Sequence, residues 1–539
     1  MNSAAPQDAY AAPNQGQLGG AFIERVAWIE PATNYPWVPD CNDGTYRNPI
    51  IYADYPDPDV IRVGDEFYMT VSSFHCTPGL PILHSRDLVN WTIINHAVKN
   101  LPHPRYAQVQ HGCGIWAPSI RFHAGKFWIF FAMPDEGIYV TTAYDPAGKW
   151  SEPHLVEPGR GLIDPCPLWD DDGKAYLVHA YARSRAGIKD ILRVRPMAPD
   201  GSRLLGEGKI VFHAPDKHPT IEGPKFYKLN GWYYILAPAG GVKTGWQVAL
   251  RARNVYGPYE DRIVMHQGNT PINGPHQGGL VELRNGQWWF VHFQDAGVYG
   301  RIVHLQPVAW RDDWPLIGID LNNDGIGEPV PQYNKPAVPQ PTRIAVPQTS
   351  DEFESGALSP QWHWHANHKP EWFSLNARPG WLRLYAQPRA HGNLVHAPNL
   401  LLQKFPARAF RAETLVNPGQ SKLGLETGLV VAGRTSAAVS LQITPEGAAL
   451  VFRHNEATHV VKKISSAAAR LRVDVTEGGV CKFSFASLTG EFESVGQPFQ
   501  AEPGVWVGAK LGIYAISLGD ETDGYADFDY FRFSPTGPK

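Results

Sequence analysis

The chain reads as an all-β protein, a five-bladed β-propeller followed by a β-sandwich, and three observations predict this. A hairpin pattern recurs five times before residue 318. A short polar motif precedes each recurrence at a nearly constant distance. From Asp351 onward the pattern changes to longer alternating strands without a helical period.

The five recurrences are GDEFYMTVSSF from Gly64, AGKFWIFFAM from Ala124, DGKAYLVHAY from Asp172, NGWYYILAPAG from Asn230 and NGQWWFVHFQD from Asn285. Each joins a polar turn to an apolar and aromatic run, the signature of a hairpin feeding a buried strand. Their spacing of 48 to 60 residues suits blades of four short strands. Upstream lie YPDPD, WAPS, DPCP, EGP and HQGG, led by Asp57, Trp116, Asp164, Glu222 and His276. Each lead residue precedes its turn by eight to ten residues, so one slot is occupied in all five blades. The innermost strand of a blade lines the central channel, so three carboxylates, an indole and an imidazole should converge on one axis. A single Asp-Pro is more simply a turn. Three acids in matching slots favour a shared site.

Residues 1–46 read as a leader and extension, with an Ala-, Pro-, Gln- and Gly-rich start that lacks a basic or apolar signal region. The compartment is therefore left open between cytoplasm and export with a signal removed. Residues 47–318 form the propeller, 319–350 a Pro-rich extended linker and 351–539 the sandwich. In the linker, Asp320, Asn322, Asp324 and Gly325 match the first half of a calcium loop. Pro331 stands where the bidentate Glu belongs, so an Asx-rich turn is the better reading. His363, His365 and His368 have no Cys or carboxylate in ligand spacing and read as a solvated loop. Trp362 and Trp364 lie in an irregular stretch, which favours a sandwich packed as a lid over one with its own sugar platform.

Composition narrows the function. Charged residues are 19% of the chain and the net charge is −4, which leaves no basic field for nucleic acid. No apolar run approaches membrane-spanning length. The five cysteines include no CxxC pair, so neither a zinc cage nor a disulfide framework is implied. Eighteen Trp and 22 Tyr suit sugar stacking as well as interblade packing.

At YPDPD, GIWAPS, IDPCPLWDDDG and IEGP the sequence resembles glycoside hydrolase family 43, the β-xylosidases and α-L-arabinofuranosidases, from Asn48 to about Gly318. The sandwich resembles the C-terminal domain of its two-domain members. The resemblance implies that Asp57 is the general base, Glu222 the general acid and Asp164 the residue that orients the acid and tunes its pKa. It implies that Phe74 and Trp116 wall the terminal sugar pocket and that Arg301 binds substrate. His276 matches an axial His that lies beside a water cluster or a calcium ion. No cofactor is required, and the partner is an oligosaccharide. Two departures stand out. Asp59 replaces a small residue and adds charge near the base, while Ser119 replaces an Asp and removes one.

Glycoside cleavage passes through an oxocarbenium-like transition state and needs a proton donor and a base or nucleophile. Repulsion from Asp164 should raise Glu222 and keep it protonated. Inversion, implied by the family, sets Asp57 and Glu222 about 6.5–9.5 Å apart. The expected activity is exo release of a terminal pentose, xylose or arabinofuranose, from hemicellulose-derived oligosaccharides. The alternatives are a non-catalytic sugar-binding propeller and a related propeller glycosidase acting on arabinan or galactan. A retaining fructan hydrolase fits less well, since its Arg-Asp-Pro motif is absent.

Overall fold

The computed structural model describes residues 35–340, 342–388, 392–419, 422–464, 468–519 and 524–536. The proposed leader lies mostly outside them. Five four-stranded antiparallel sheets follow in chain order, each meandering outward from its first strand. The five first strands are Asp59–Val63, Ser119–His123, Leu162–Trp169, Lys225–Leu229 and His276–Glu282. Hairpin tips carry the left-handed residues that match strand twist, as in Ala124-Gly125 (φ 49° and 75°) and Asn230-Gly231 (φ 51° and 73°).

The second strands are nearly all apolar because each blade is covered on both faces. Lys126–Met133 buries all but its first residue. Five cores result, one between each pair of neighbouring blades: Ile82 with Phe131, Phe130 with Leu177, Val178 with Ile235, Leu236 with Phe290, and Val291 with Met69. The last of these closes the ring. Ile51 reinforces the closure by exchanging backbone hydrogen bonds with Val303 of blade five at 3.3 and 3.1 Å.

Residues 319–340 and 342–350 run over the propeller surface with fixed contacts. Gln332–Asn334 pairs antiparallel with Thr45–Arg47, and the Lys335 ammonium lies 2.6 Å from Asp40 and 3.2 Å from Asp87. Asp320 and Asn322 accept from the Asp324 N–H, the expected Asx turn.

Two sheets, of eight and seven strands, make the sandwich. Phe410–Asn417 alternates buried and half-buried residues, as a strand with one face inward must. Its core takes in Tyr52, Tyr299 and Ile302 of the propeller, so the two units share apolar packing. Trp362 and Trp364 are buried in that core, so neither presents a face for stacking on a sugar. All five cysteines are free thiols. Among the described residues no helix is long and apolar enough to cross a membrane.

Candidate active site

Asp57, Trp116 and Glu222 stand two or three residues before their innermost strands, His276 opens its strand and Asp164 is the third residue of its own, so the common slot lies at the strand starts. Local backbone irregularities aim them. Asp57 and Asp164 both adopt φ 57°, a left-handed conformation that Asp tolerates better than most residues. Register shifts between Ile163 and Cys166, and between His276 and Gly278, mark bulges that turn side chains toward the axis. At Gly223, also left-handed, an added Cβ would lie 2.5 Å from the Gln277 side chain. Glycine there lets the backbone approach Asp164.

Arg301 Nη1 donates to both Asp57 oxygens at 2.8 and 3.1 Å, and Ser72 Oγ donates to Oδ2 at 2.5 Å. Asp164 Oδ2 accepts from the Gly223 N–H at 2.7 Å and from Gln277 Nε2 at 3.4 Å. Glu222 keeps 27% of its side-chain surface exposed, which leaves a face open to a substrate. Burial, and then the repulsion of Asp164, pushes its carboxyl up to about 8. Burial also pushes Asp164 up to about 7, opposed by the Gly223 N–H and reinforced by Asp57. Desolvation therefore leads, and the like-charge repulsion expected from the sequence comes second.

His276 is fully buried, and neither ring nitrogen has a hydrogen-bond partner among the described residues; its Nε2 lies 3.7 Å from Glu222 Oε1. Burial, with the Arg301 charge, pulls it down to about 3, so the ring is neutral. The two departures carry little charge to the axis. Asp59, fully buried, is paired with Arg121 at 2.7 Å, so its charge is neutralised beneath the site. Ser119 accepts from the buried Lys225 ammonium at 2.9 Å.

The aromatic wall is built from both domains. Phe74 (φ 51°) exchanges backbone hydrogen bonds with Ile115 at 2.9 Å each way and faces Trp116, with ring centroids 6.3 Å apart. Trp116 then faces Trp506 of the sandwich at 6.3 Å, and the Arg301 guanidinium lies 5.9 Å from the Trp506 ring. Trp506 is half exposed and sits at φ 65°. Asp54 ties this loop to the site, accepting from the Arg301 N–H at 2.9 Å and the Gly508 N–H at 3.0 Å. Sequence reasoning missed Trp506, Asp54, Ser72 and Gln277. The one signal for Trp506 was a lone Trp in the Gly- and Pro-rich segment EPGVWVG, between two strands.

One sequence expectation is overturned. His363 and His365 are 6% and 5% exposed and not solvated, because the short strand His363–Trp364 pairs with Leu401–Lys404. His368 stacks on Trp364 with ring centroids 6.0 Å apart.

Comparison with known proteins supports the two-domain architecture. Residues 46–315 match glycosyl hydrolases family 43, and residues 350–534 match the β-xylosidase C-terminal concanavalin A-like domain. A putative β-xylosidase of Xylanibacter ruminicola is 41% identical over 482 residues, 89% of this chain and 88% of that protein. A non-reducing end α-L-arabinofuranosidase of Bacteroides ovatus is 30% identical, covering 91% of this chain and 94% of that protein. The crystal structure of a family 43 protein from Bacillus licheniformis superposes with a TM-score of 0.79 at 25% identity, over 91% of this chain and all of that one. The chain belongs to glycoside hydrolase family 43, in the two-domain form whose propeller is followed by a β-sandwich.

Proposed function

We propose that the protein is an exo-acting, inverting glycosidase that releases one terminal pentose, xylose or arabinofuranose, from hemicellulose-derived oligosaccharides. The observation that carries the proposal is the pair of opposed carboxyl environments on one axis. Glu222 is held protonated near neutrality by burial and Asp164, while Asp57 is clamped by Arg301 and Ser72. Glu222 donates a proton to the leaving oxygen. Asp57 takes one from a water that attacks the anomeric carbon from the opposite face, so the configuration inverts. Asp164 keeps the acid protonated.

The exo reading rests on the Trp506 wall. A pocket closed on one side by a second domain takes a chain end more readily than a chain interior. The names of the relatives, β-xylosidase and arabinofuranosidase, support a pentose. Calcium prefers six to eight oxygens. The axis offers His276 nitrogens and Gln277 Oε1 without partners, beside the Arg301 cation. That donor set suits ordered water, and millimolar calcium added to stripped enzyme should leave kcat within about two-fold.

The deciding experiment is a product profile on xylo- and arabino-oligosaccharides, with the first-formed anomer read by NMR. A single terminal pentose of inverted configuration is expected. Internal cleavage of undecorated polymer, or retention, would overturn the reading.

A further inference from the structure

Three imidazoles meet where the propeller touches the sandwich, away from the carboxylate axis. His75 follows the pocket residue Phe74, His111 lies in the turn that leads to Trp116, and His365 follows the strand His363–Trp364. Backbone pairing between Thr77 and Trp364 brings the two domains together at this point. One ring nitrogen of each imidazole lies within 4.8 Å of the others.

Ring centroids are 5.2 Å apart for His75 and His111, 5.1 Å for His75 and His365, and 5.5 Å for His111 and His365. Three imidazoles on one tetrahedral ion, with bonds of about 2.0–2.1 Å, place their ring centres about 5.2 Å apart. The rings thus have the spacing of a ligand set, and rotating them would bring the nitrogens onto a common ion.

The hydrogen bonding points the same way. His75 is 2% exposed and neither of its nitrogens has a hydrogen-bond partner among the described residues, which buried polar groups rarely tolerate. His365 Nδ1 lies 3.3 Å from the Ala397 carbonyl, which leaves Nε2 for a ligand. His111 Nε2 lies 3.0 Å from the Val395 carbonyl, which leaves Nδ1. A ring nitrogen tied to a carbonyl fixes the tautomer and presents the other lone pair, as in metal-binding histidines. Burial holds His75 and His365 well below the usual histidine range, so both are neutral donors.

We propose that His75, His111 and His365 form an interdomain site for one late first-row divalent ion, zinc above all, with water in the fourth position. An all-imidazole set suits zinc, copper, nickel or cobalt and not the oxygen-seeking calcium or magnesium. The ligands straddle the domain boundary, so the ion clamps the sandwich onto the two loops that carry Phe74 and Trp116. The field of Lys510 reaches all three rings and works against the ion, which keeps the affinity below that of a carboxylate-supported site.

The test uses the untagged full chain, stripped with chelator and titrated with zinc chloride. One equivalent should bind with micromolar or tighter affinity and raise Tm. Cobalt should give the intense visible band of a tetrahedral centre. His75→Gln and His365→Gln should each weaken zinc binding by about 10²-fold or more. Wild-type protein that takes up less than about a tenth of an equivalent at a free zinc concentration tenfold above micromolar would overturn the proposal, whether or not the variants fold. Folded variants that bind zinc as the wild type does would also overturn it.

Discussion

The Trp116 indole of the propeller and the Trp506 indole of the sandwich meet with ring centroids 6.3 Å apart and planes at 67°. Together with Phe74 they make a wall that neither domain has alone. Trp506→Ala should leave the fold intact, because its side chain is half exposed. Catalytic efficiency on a nitrophenyl pentoside should fall by about 2- to 12-fold, on the scale of the 0.5–1.5 kcal/mol that an aromatic contact contributes beyond its buried area. Steady-state kinetics with circular dichroism checks this. Unchanged kcat/KM would remove Trp506 from the pocket.

The shared core predicts that the sandwich is not dispensable. Tyr52, Tyr299 and Ile302 are buried at 4%, 6% and 4% exposure among sandwich residues. Each aromatic exposed by deleting residues 351–539 costs on the order of 1.5–3 kcal/mol. The truncated propeller should therefore melt lower or aggregate, and lose activity on small aryl pentosides. A truncated protein that stayed folded with full activity would contradict the two-domain pocket.

Asp57→Asn should lower kcat by about 10²- to 10⁴-fold, the usual contribution of a general base, without unfolding the protein. Asn can still accept from Ser72 and Arg301, although it loses the ion pair. Azide should restore turnover and give a glycosyl azide inverted relative to substrate. Glu222→Gln should harm substrates with poor leaving groups far more than activated aryl glycosides, since only the former need the proton. Equal losses on both classes would exclude Glu222 as the acid.

The two raised carboxyls set the pH behaviour. An acid must be protonated to act, so kcat/KM should fall as pH rises through about 8, the value to which Glu222 is pushed. Asp164→Asn removes the second cause of that shift and should move the alkaline limb to lower pH, but only part of the way, because burial remains. A limb that does not move would exclude the tuning role.

Stability should show the opposite side of the same shifts. The folded pKa of each carboxyl lies above the unfolded value of about 4, so the folded state binds more protons and loses stability as pH rises from about 4 to 8. Glu222→Gln should accordingly melt higher than wild type at pH 8 and nearly equal to it at pH 4. Scanning calorimetry at both pH values measures this.

The propeller was legible because its signals are local. Hairpin tips such as Asn230-Gly231 need left-handed backbone, and strands such as Lys126–Met133 are covered on both faces, so each repeat declares itself in composition. The five-fold phase of Asp57, Trp116, Asp164, Glu222 and His276 carried the carboxylate axis directly, since equivalent slots in a closed ring must face one channel. Other features depended on contacts hundreds of residues apart. Trp506 meets Trp116 on a loop that Asp54 ties to Arg301 through Gly508, and the charge of Asp59 is paired by Arg121 of the next blade. His365 looked like part of a solvated loop because its partners His75 and His111 are far away in the chain. Sequence alone determined the strands and their phase, because turn chemistry and strand burial are short-range. Which distant charges and rings meet was decided by the docking of the sandwich, a packing event that leaves no periodic trace.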